Sequence, residues 1–305
     1  VDASFLKEID MSFQVGHYQD FSKATGCTVF LFEEPNRAVA AVRGGAPGGR
    51  ETATLFPGNL VEGVDAIFFT GGSALGLSCG EGVVDFLRER KRGLRTPGGI
   101  VPIVAGAVIY DLELGEPYSP DREWGYNASL SVEEIIKEGT IGAGTGATVG
   151  KLMGMGRAVK GGFGKGRAKV DGEEIYTFVV TNSWGNVYHP QTGELVAGVR
   201  LEKRGITPSP FNTTLTLIVF DFFLSREELL SLAGVVHSAL ASCIRPFATL
   251  YDGDTIFLVS TGKKKVNDYL ALVSGIYESV EEGVLNSVTK ATGLAGVLAK
   301  NDIIA

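Results

Sequence analysis

The run Thr213–Phe223, TTLTLIVFDFF, limits what this chain can fold into more than any other stretch. Short, apolar and rich in β-branched and aromatic residues, it reads as a buried strand. VDAIFFTGG (Val64–Gly72) and DTIFLVSTG (Asp254–Gly262) are runs of the same kind, each ending in glycine. Buried strands need cover, and the periodic segments between them supply it. SALGLSCGEGVVDFLRER carries Leu75, Cys79, Val83, Phe86 and Leu87 at helical spacing behind Ser73 as N-cap. A second helix is expected from Ser225, with Glu228 three residues on as its capping-box partner, and a third in VNDYLALVSGIYESVEEGVLNSVTKA. SVEEIIKEG reads as a short helix opened by Ser131 and closed by Gly139. GCTVFLFEE and RAVAAVRGG read as a hairpin turning at Pro35 and Asn36, while GGIVPIVAGAVIYDL and EIYTFVVTNSWGNVY add strand regions. Blocks of strands and helices with hairpins between them predict an α+β sandwich, with helices packed outside a double sheet.

Several function classes recede on composition. The 305 residues suffice for two ordinary domains or one large one. No apolar run approaches the roughly 18 residues of a membrane span, and the start, VDASFLKEID, has no secretory-signal pattern. A net charge of -7 argues against a general polyanion binder; RERKRGLR (Arg88–Arg95) and GKKKV (Gly262–Val266) read as solvated local clusters. Three scattered cysteines, Cys27, Cys79 and Cys243, fit reduced thiols in a cytoplasmic protein. His17, His189 and His237 lie far apart without paired ligand spacing, so no metal site is expected.

The glycine-dense middle invites a nucleotide reading and then fails it. In GAGTGATVGKL, Leu152 stands where a phosphate loop has Ser or Thr, and Thr145 where it has Gly. Gly142, Gly144 and Ala147 fit a degenerate dinucleotide pattern, but neither a clean preceding strand nor a ribose-binding acid accompanies them. No G-x-S-x-G elbow is present; His237 and Cys79 sit on amphipathic helices, where packing is the default role. The Asn212–Thr213 junction is different in kind. An amino-terminal threonine activates its own hydroxyl through its α-amine, whose reference pKa is about 7.7–8.0. A cut before Thr213 would create such a residue, and attack by its hydroxyl on the Asn212 carbonyl is the way to make that cut. Taken by itself, NTT ahead of a strand is better read as a plain loop ending in a β-favouring run.

Eight ordered motifs tip this balance. VGHYQD, TGCTVFLFEE, VRGGAPGGRET, NLVEGVDAIFFTGGSALGL, GGIVPIVAGAVIYDL, GAGTGATVGK, FNTTLTLIV and RPFATLYDGDTIFLVSTG together resemble the L-aminopeptidase/D-esterase family. That family includes the β-peptidyl aminopeptidases and the endo-type nylon-oligomer hydrolase. The resemblance runs from about Ile9 to about Lys300. It implies a four-layer αββα sandwich like the N-terminal-nucleophile hydrolases, with distinct connectivity, formed as a single domain over residues 1–305. It also implies self-cleavage into a chain of residues 1–212 and a chain of residues 213–305, no cofactor, and a homo-oligomer, a tetramer of αβ units or larger. Carried over by motif, Thr213 is the nucleophile, the Asn182 amide helps hold the oxyanion, and Tyr110 donates toward the reacting carbonyl. Lys151 stands beside the nucleophile, as in the nylon-oligomer hydrolase, and Asp252 and Asp254 match the pair that contacts it. The characterised aminopeptidases tend to carry Ser and Glu at this pair and a serine nucleophile. The implied activity is that of an amidohydrolase or aminopeptidase on small peptides or amides, with endo-cleavage of ω-amino-acid oligomers as the alternative. A fold kept for binding without cleavage is the contrasting reading. Leu75 and Trp184 are candidate pocket residues.

Overall fold

The structure, a computed structural model, describes residues 12–33, 35–133, 135–200 and 211–303. Two sheets lie face to face. One is built on strands β1 (Phe13–Asp20), β2 (Thr25–Phe32), β4 (Ala66–Thr70) and β5 (Val104–Val108), the other on β3 (Arg37–Val42), β6 (Phe163–Val170), β7 (Glu173–Asn182), β8 (Thr213–Phe220) and β9 (Thr255–Ser260). The first sheet runs β5-β4-β2-β1, with the short strands Gly49–Arg50 and Val132–Glu133 at its edges. The second runs β6-β7-β8-β9-β3; β8 pairs antiparallel with β7 and parallel with β9.

Side-chain alternation along the strands separates three cores. On β8, Leu215, Leu217 and Val219 point between the sheets, where they join Phe30, Phe69, Phe178 and Phe257. Ile218 and Phe220 point the other way, under helices α3 (Arg226–Cys243) and α4 (Tyr269–Thr289). On the far side, Val29, Phe68 and Val104 pack under α1 (Cys79–Glu89) and α2 (Arg122–Leu130). The layering is therefore α, β, β, α. The apolar runs carry no polar face because every strand at the centre is covered on both sides.

Local expectations meet mixed outcomes. Helix α3 starts as its sequence predicts: Ser225 Oγ accepts from the Glu228 backbone and the Glu228 carboxylate from that of Ser225. Ser73 is no N-cap. Its φ of 56° belongs to the left-handed region, its side chain makes no capping bond, and a 3₁₀ segment, Ser73–Ser78, precedes α1. The hairpin at Pro35 and Asn36 is not formed either. Both strands exist, but β2 pairs with β1 and β4 in one sheet and β3 with β9 in the other. Strand propensity fixed each run and said nothing about its partner. The helix expected at Ser131–Gly139 is replaced by the edge strand Val132–Glu133 on β1, with Ser131 Oγ donating to the His17 carbonyl.

Candidate active site

Register brings the first two site residues together. Asn182, the last residue of β7, and Thr213, the first of β8, are direct cross-strand partners. Thr213 has the same parity as Leu215 and Leu217, so its side chain points to the mouth of the space between the sheets. There it borders a cavity of about 250 Å³ walled by Ala46, Pro47, Ser73, Val108, Tyr110 and Phe211. None of the residues lining this cavity is charged.

Asn182 is fully buried and works as a node. Its Oδ1 accepts from the Thr148 backbone N–H at 3.0 Å and from Lys151 Nζ at 3.0 Å, and its Nδ2 donates to the Tyr110 carbonyl at 3.0 Å. These donors, with the Thr148 hydroxyl at 3.4 Å as a third, and the acceptor on the other side fix the orientation of the amide. Lys151 also donates to the Asn182 backbone carbonyl at 3.2 Å. Burial pulls the Lys151 ammonium down to about 7, opposed by the negative field of Asp252, Glu113 and Asp111. Gly150, at φ 68°, supplies the left-handed turn that swings Lys151 inward. Tyr110 packs its ring against Phe211 at 5.3 Å, and burial raises its phenol above the ordinary value.

The aspartates occupy an extended stretch just ahead of β9. Asp254 accepts from Thr214 N at 2.6 Å and from Ala248 N at 3.1 Å. Burial first, and the neighbouring Asp252 second, push its carboxyl up to about 8, so it is largely protonated at neutral pH. Asp252 accepts two bonds from Thr249, at 2.8 Å from its N–H and 2.5 Å from its hydroxyl. Gly253 between them has a role the sequence did not disclose: its N–H donates to the Asn212 carbonyl at 2.7 Å. A Cβ at Gly253 would lie 2.4 Å from the Ala46 carbonyl, so the close approach of the Gly44–Pro47 loop requires glycine here.

The same Asn212 carbonyl also accepts from Thr213 Oγ1 at 2.6 Å. Asn212 N donates to the Tyr251 carbonyl at 2.9 Å, so this residue is bridged to the Tyr251–Gly253 segment on both sides. Just before it, Phe211 holds φ 72°, a left-handed conformation that a bulky side chain adopts at a cost of about 1–2 kcal/mol. Of the two candidate pocket residues, Leu75 is 68% exposed, beyond Ser73 and Ala74, which do line the cavity. Trp184 packs edge-on to Tyr251 at 5.5 Å and is not among the residues lining that cavity. Thr148, Phe211 and Gly253 were missed from sequence. Only Gly253 had a signal, as the residue framed by the two aspartates.

Comparison with known proteins places this arrangement. An uncharacterized aminopeptidase of Mycobacterium tuberculosis is 38% identical over 279 residues, covering 82% of this chain and 79% of that protein. The 6-aminohexanoate-oligomer endohydrolase of Paenarthrobacter ureafaciens is 31% identical over 274 residues, covering 82% and 73%. Among solved structures, the L-aminopeptidase D-Ala-esterase/amidase of Ochrobactrum anthropi, a variant of the Ntn hydrolase fold, superposes with a TM-score of 0.73. It covers 96% of this chain and 90% of that one at 18% identity, and so shares the fold. The sequence model of peptidase family S58 matches residues 11–301, from the strand before the first turn to the last helix: the chain belongs to peptidase family S58.

Proposed function

We propose that this protein is a self-processing amidohydrolase of the aminopeptidase type, which cuts itself between Asn212 and Thr213 and then uses the freed Thr213 as nucleophile. The observation that carries the reading is the pair of bonds on the Asn212 carbonyl oxygen, from Thr213 Oγ1 at 2.6 Å and Gly253 N–H at 2.7 Å. The hydroxyl thus lies against the carbonyl it must attack, and a fixed backbone donor already points at the oxygen where negative charge develops.

In self-cleavage the Thr213 oxygen adds to the Asn212 carbonyl carbon, the C–N bond breaks, and the nitrogen takes up the hydroxyl proton. Water then hydrolyses the resulting ester, leaving an Asn212 carboxylate and a free Thr213 amine. The products are segments 1–212 and 213–305 of one folded domain. In turnover the amine serves as base for the hydroxyl and passes the proton to the leaving amine. Lys151, with a pKa near 7 and held on Asn182, offers a cation that stabilises anionic charge and favours the neutral amine. The second N–H of the Asn182 amide and the Tyr110 phenol are the candidate oxyanion donors. Asp254, protonated at neutral pH, and Asp252 orient the start of β8 through Thr214 N and the Tyr251–Gly253 segment.

Relatives named as aminopeptidases favour peptide substrates; the nylon-oligomer hydrolases among the relatives favour the alternative of longer ω-amino amides. The three cysteines are all free and buried, which suits a reducing compartment, and we propose the cytoplasm, with an oligomer of αβ units as the assembly.

Intact mass spectrometry of the purified protein beside Thr213→Ala tests the central step. Two fragments meeting at Asn212 and Thr213, absent from the variant, are expected; one uncut mass after long incubation at neutral pH removes the proposal. The strain at Phe211 adds a graded test. Phe211→Gly relaxes the ground state, so self-cleavage followed by gel densitometry is expected to slow about 3- to 10-fold. An unchanged or faster rate excludes strain as a contributor.

A further inference from the structure

The ester formed in self-cleavage and the acyl-enzyme formed with substrate are the same chemical object, an acyl group on Thr213 Oγ1. Whatever holds Asn212 in the uncut chain therefore marks where a substrate's acyl residue is held. This argument rests on the proposed nucleophile and extends it to substrate class. Two backbone groups take part in the holding: the Tyr251 carbonyl accepts from Asn212 N at 2.9 Å and from its Nδ2 at 3.3 Å, and Gly253 N–H donates to Asn212 O at 2.7 Å. Both belong to a segment pinned from behind, with Ala46 N donating to the Asp252 carbonyl at 3.0 Å and Arg43 N to that of Asp254 at 2.8 Å. The bonded N–H and C=O of Asn212 are separated by a single Cα, which is the spacing of an α-amino acid and not of a longer ω-amino acid. One residue earlier, the Phe211 ring lies on Tyr110 at 5.3 Å, is 51% exposed, and borders both the uncharged cavity beside Thr213 and a small cleft reaching Glu113 and Lys151.

We propose that the Tyr251–Gly253 segment is the acyl subsite, reading an α-aminoacyl residue as an added strand, and that the Tyr110 face receives an aromatic residue one position further toward the amino terminus. Phe211–Asn212 is the first occupant of this site and leaves it after the cut. Strand addition of this kind takes affinity from main-chain bonds and specificity from the side-chain positions. The favoured substrates are then peptides of the form aromatic–X, cleaved after X, where X is an α-amino acid, so that the group released is a dipeptide and not the single residue of strict aminopeptidase action.

The test uses cut wild-type protein and a series of 7-amido-4-methylcoumarin amides: Ala, Gly-Ala, Phe-Ala, Phe-(N-methyl-Ala), β-Ala and 6-aminohexanoyl. Phe-Ala is expected to exceed Gly-Ala in kcat/KM by about 2- to 10-fold, the worth of one aromatic contact, and Tyr110→Leu should erase that ratio whatever it does to the absolute rate. N-methylation removes the bond to the Tyr251 carbonyl and is expected to lower kcat/KM about 10-fold, with β-Ala and 6-aminohexanoyl falling at least as far. Equal rates for Phe-Ala and its N-methyl form, or a preference for the 6-aminohexanoyl amide, overturn the subsite while leaving a Thr213-dependent amidase standing. If the chain is cut but no amide in the series is turned over, both the amidase reading and the subsite fall.

Discussion

Lys151 and Lys160 lie nine residues apart in the same glycine-rich stretch, both are buried, and burial pulls both ammonium groups to about 7. Their bonding separates them. Lys160 directs its three N–H groups to three backbone carbonyls, Gly144 at 3.0 Å, Ala147 at 2.7 Å and Gly161 at 2.8 Å. It is saturated, and it ties the 3₁₀ turn Gly142–Gly146 to the start of β6. Among the described residues Lys151 bonds only Asn182, through its carbonyl and its Oδ1, so one N–H is left over beside the cleft that Tyr110, Glu113 and Phe211 line. A lowered lysine pKa is therefore no mark of function by itself. What distinguishes the two is whether the donor count closes inside the fold or leaves a proton facing the site.

Neutral substitution separates the two roles most sharply. Lys151→Met is expected to cut amide turnover about 100- to 1,000-fold, the scale of losing one charged donor at a reacting centre, with stability in urea changed by no more than about 1 kcal/mol. A large stability loss with normal turnover per folded molecule would make Lys151 a second Lys160. Lys160→Met carries the opposite expectation, a loss of about 1–3 kcal/mol in urea unfolding with turnover per active site within about 3-fold. The loss stays modest because the Ala147 carbonyl keeps the Gly161 N–H, and the Gly144 carbonyl the Ala147 N–H, as second partners.

Titration carries opposite signs for lysine and aspartate. Both lysines release their proton in the folded state near pH 7 and in the unfolded chain near 10.5, so between these values the unfolded state binds more protons and stability rises with pH. Asp254 is raised from 3.8 to about 8, so its contribution is complete below about pH 4 and is lost as pH rises through 8. Urea midpoints from pH 5 to 10 should show the aspartate's decline first and the lysines' rise above it. Each Lys→Met variant should flatten the alkaline limb by its own share; a limb that neither variant changes would remove both lysines as its source.

What could be read in the sequence follows the range of the forces involved. Helix α3 and its capping box are local, as are β8 and β9, whose runs are apolar enough to declare themselves. Helix α2 escaped notice because the one face of REWGYNASL that is buried, Trp124, Gly125, Ala128 and Ser129, is mostly small and partly polar, and only Asp121, accepting from Glu123 and Trp124 N–H, announces its start. The false hairpin at Pro35 came from turn chemistry that was real and a partner that was not. At the site, Thr213, Asn182, Tyr110, Lys151, Asp252 and Asp254 were named through the resemblance; Tyr110 and Lys151 bond Asn182 directly, whereas Asp254 bonds Thr214 N and Asp252 bonds Thr249. Gly253, Thr148 and Phe211 act through backbone groups or backbone conformation, which residue type scarcely encodes. Lys160, a lone lysine among glycines, offered no pattern at all.

The strand order of the second sheet has a mechanical consequence. β6, β7 and β3 come from residues before the Asn212–Thr213 bond and β8 and β9 from after it, so the order β6-β7-β8-β9-β3 interleaves the two sides. A severed chain is thus riveted rather than hinged. The later piece is clamped in the middle of a sheet whose two flanks belong to the earlier one, and neither can depart without unzipping two ladders at once. Scission can alter reactivity while the quaternary bookkeeping of the particle still counts one body, and the halves made separately would have to fold as a couple.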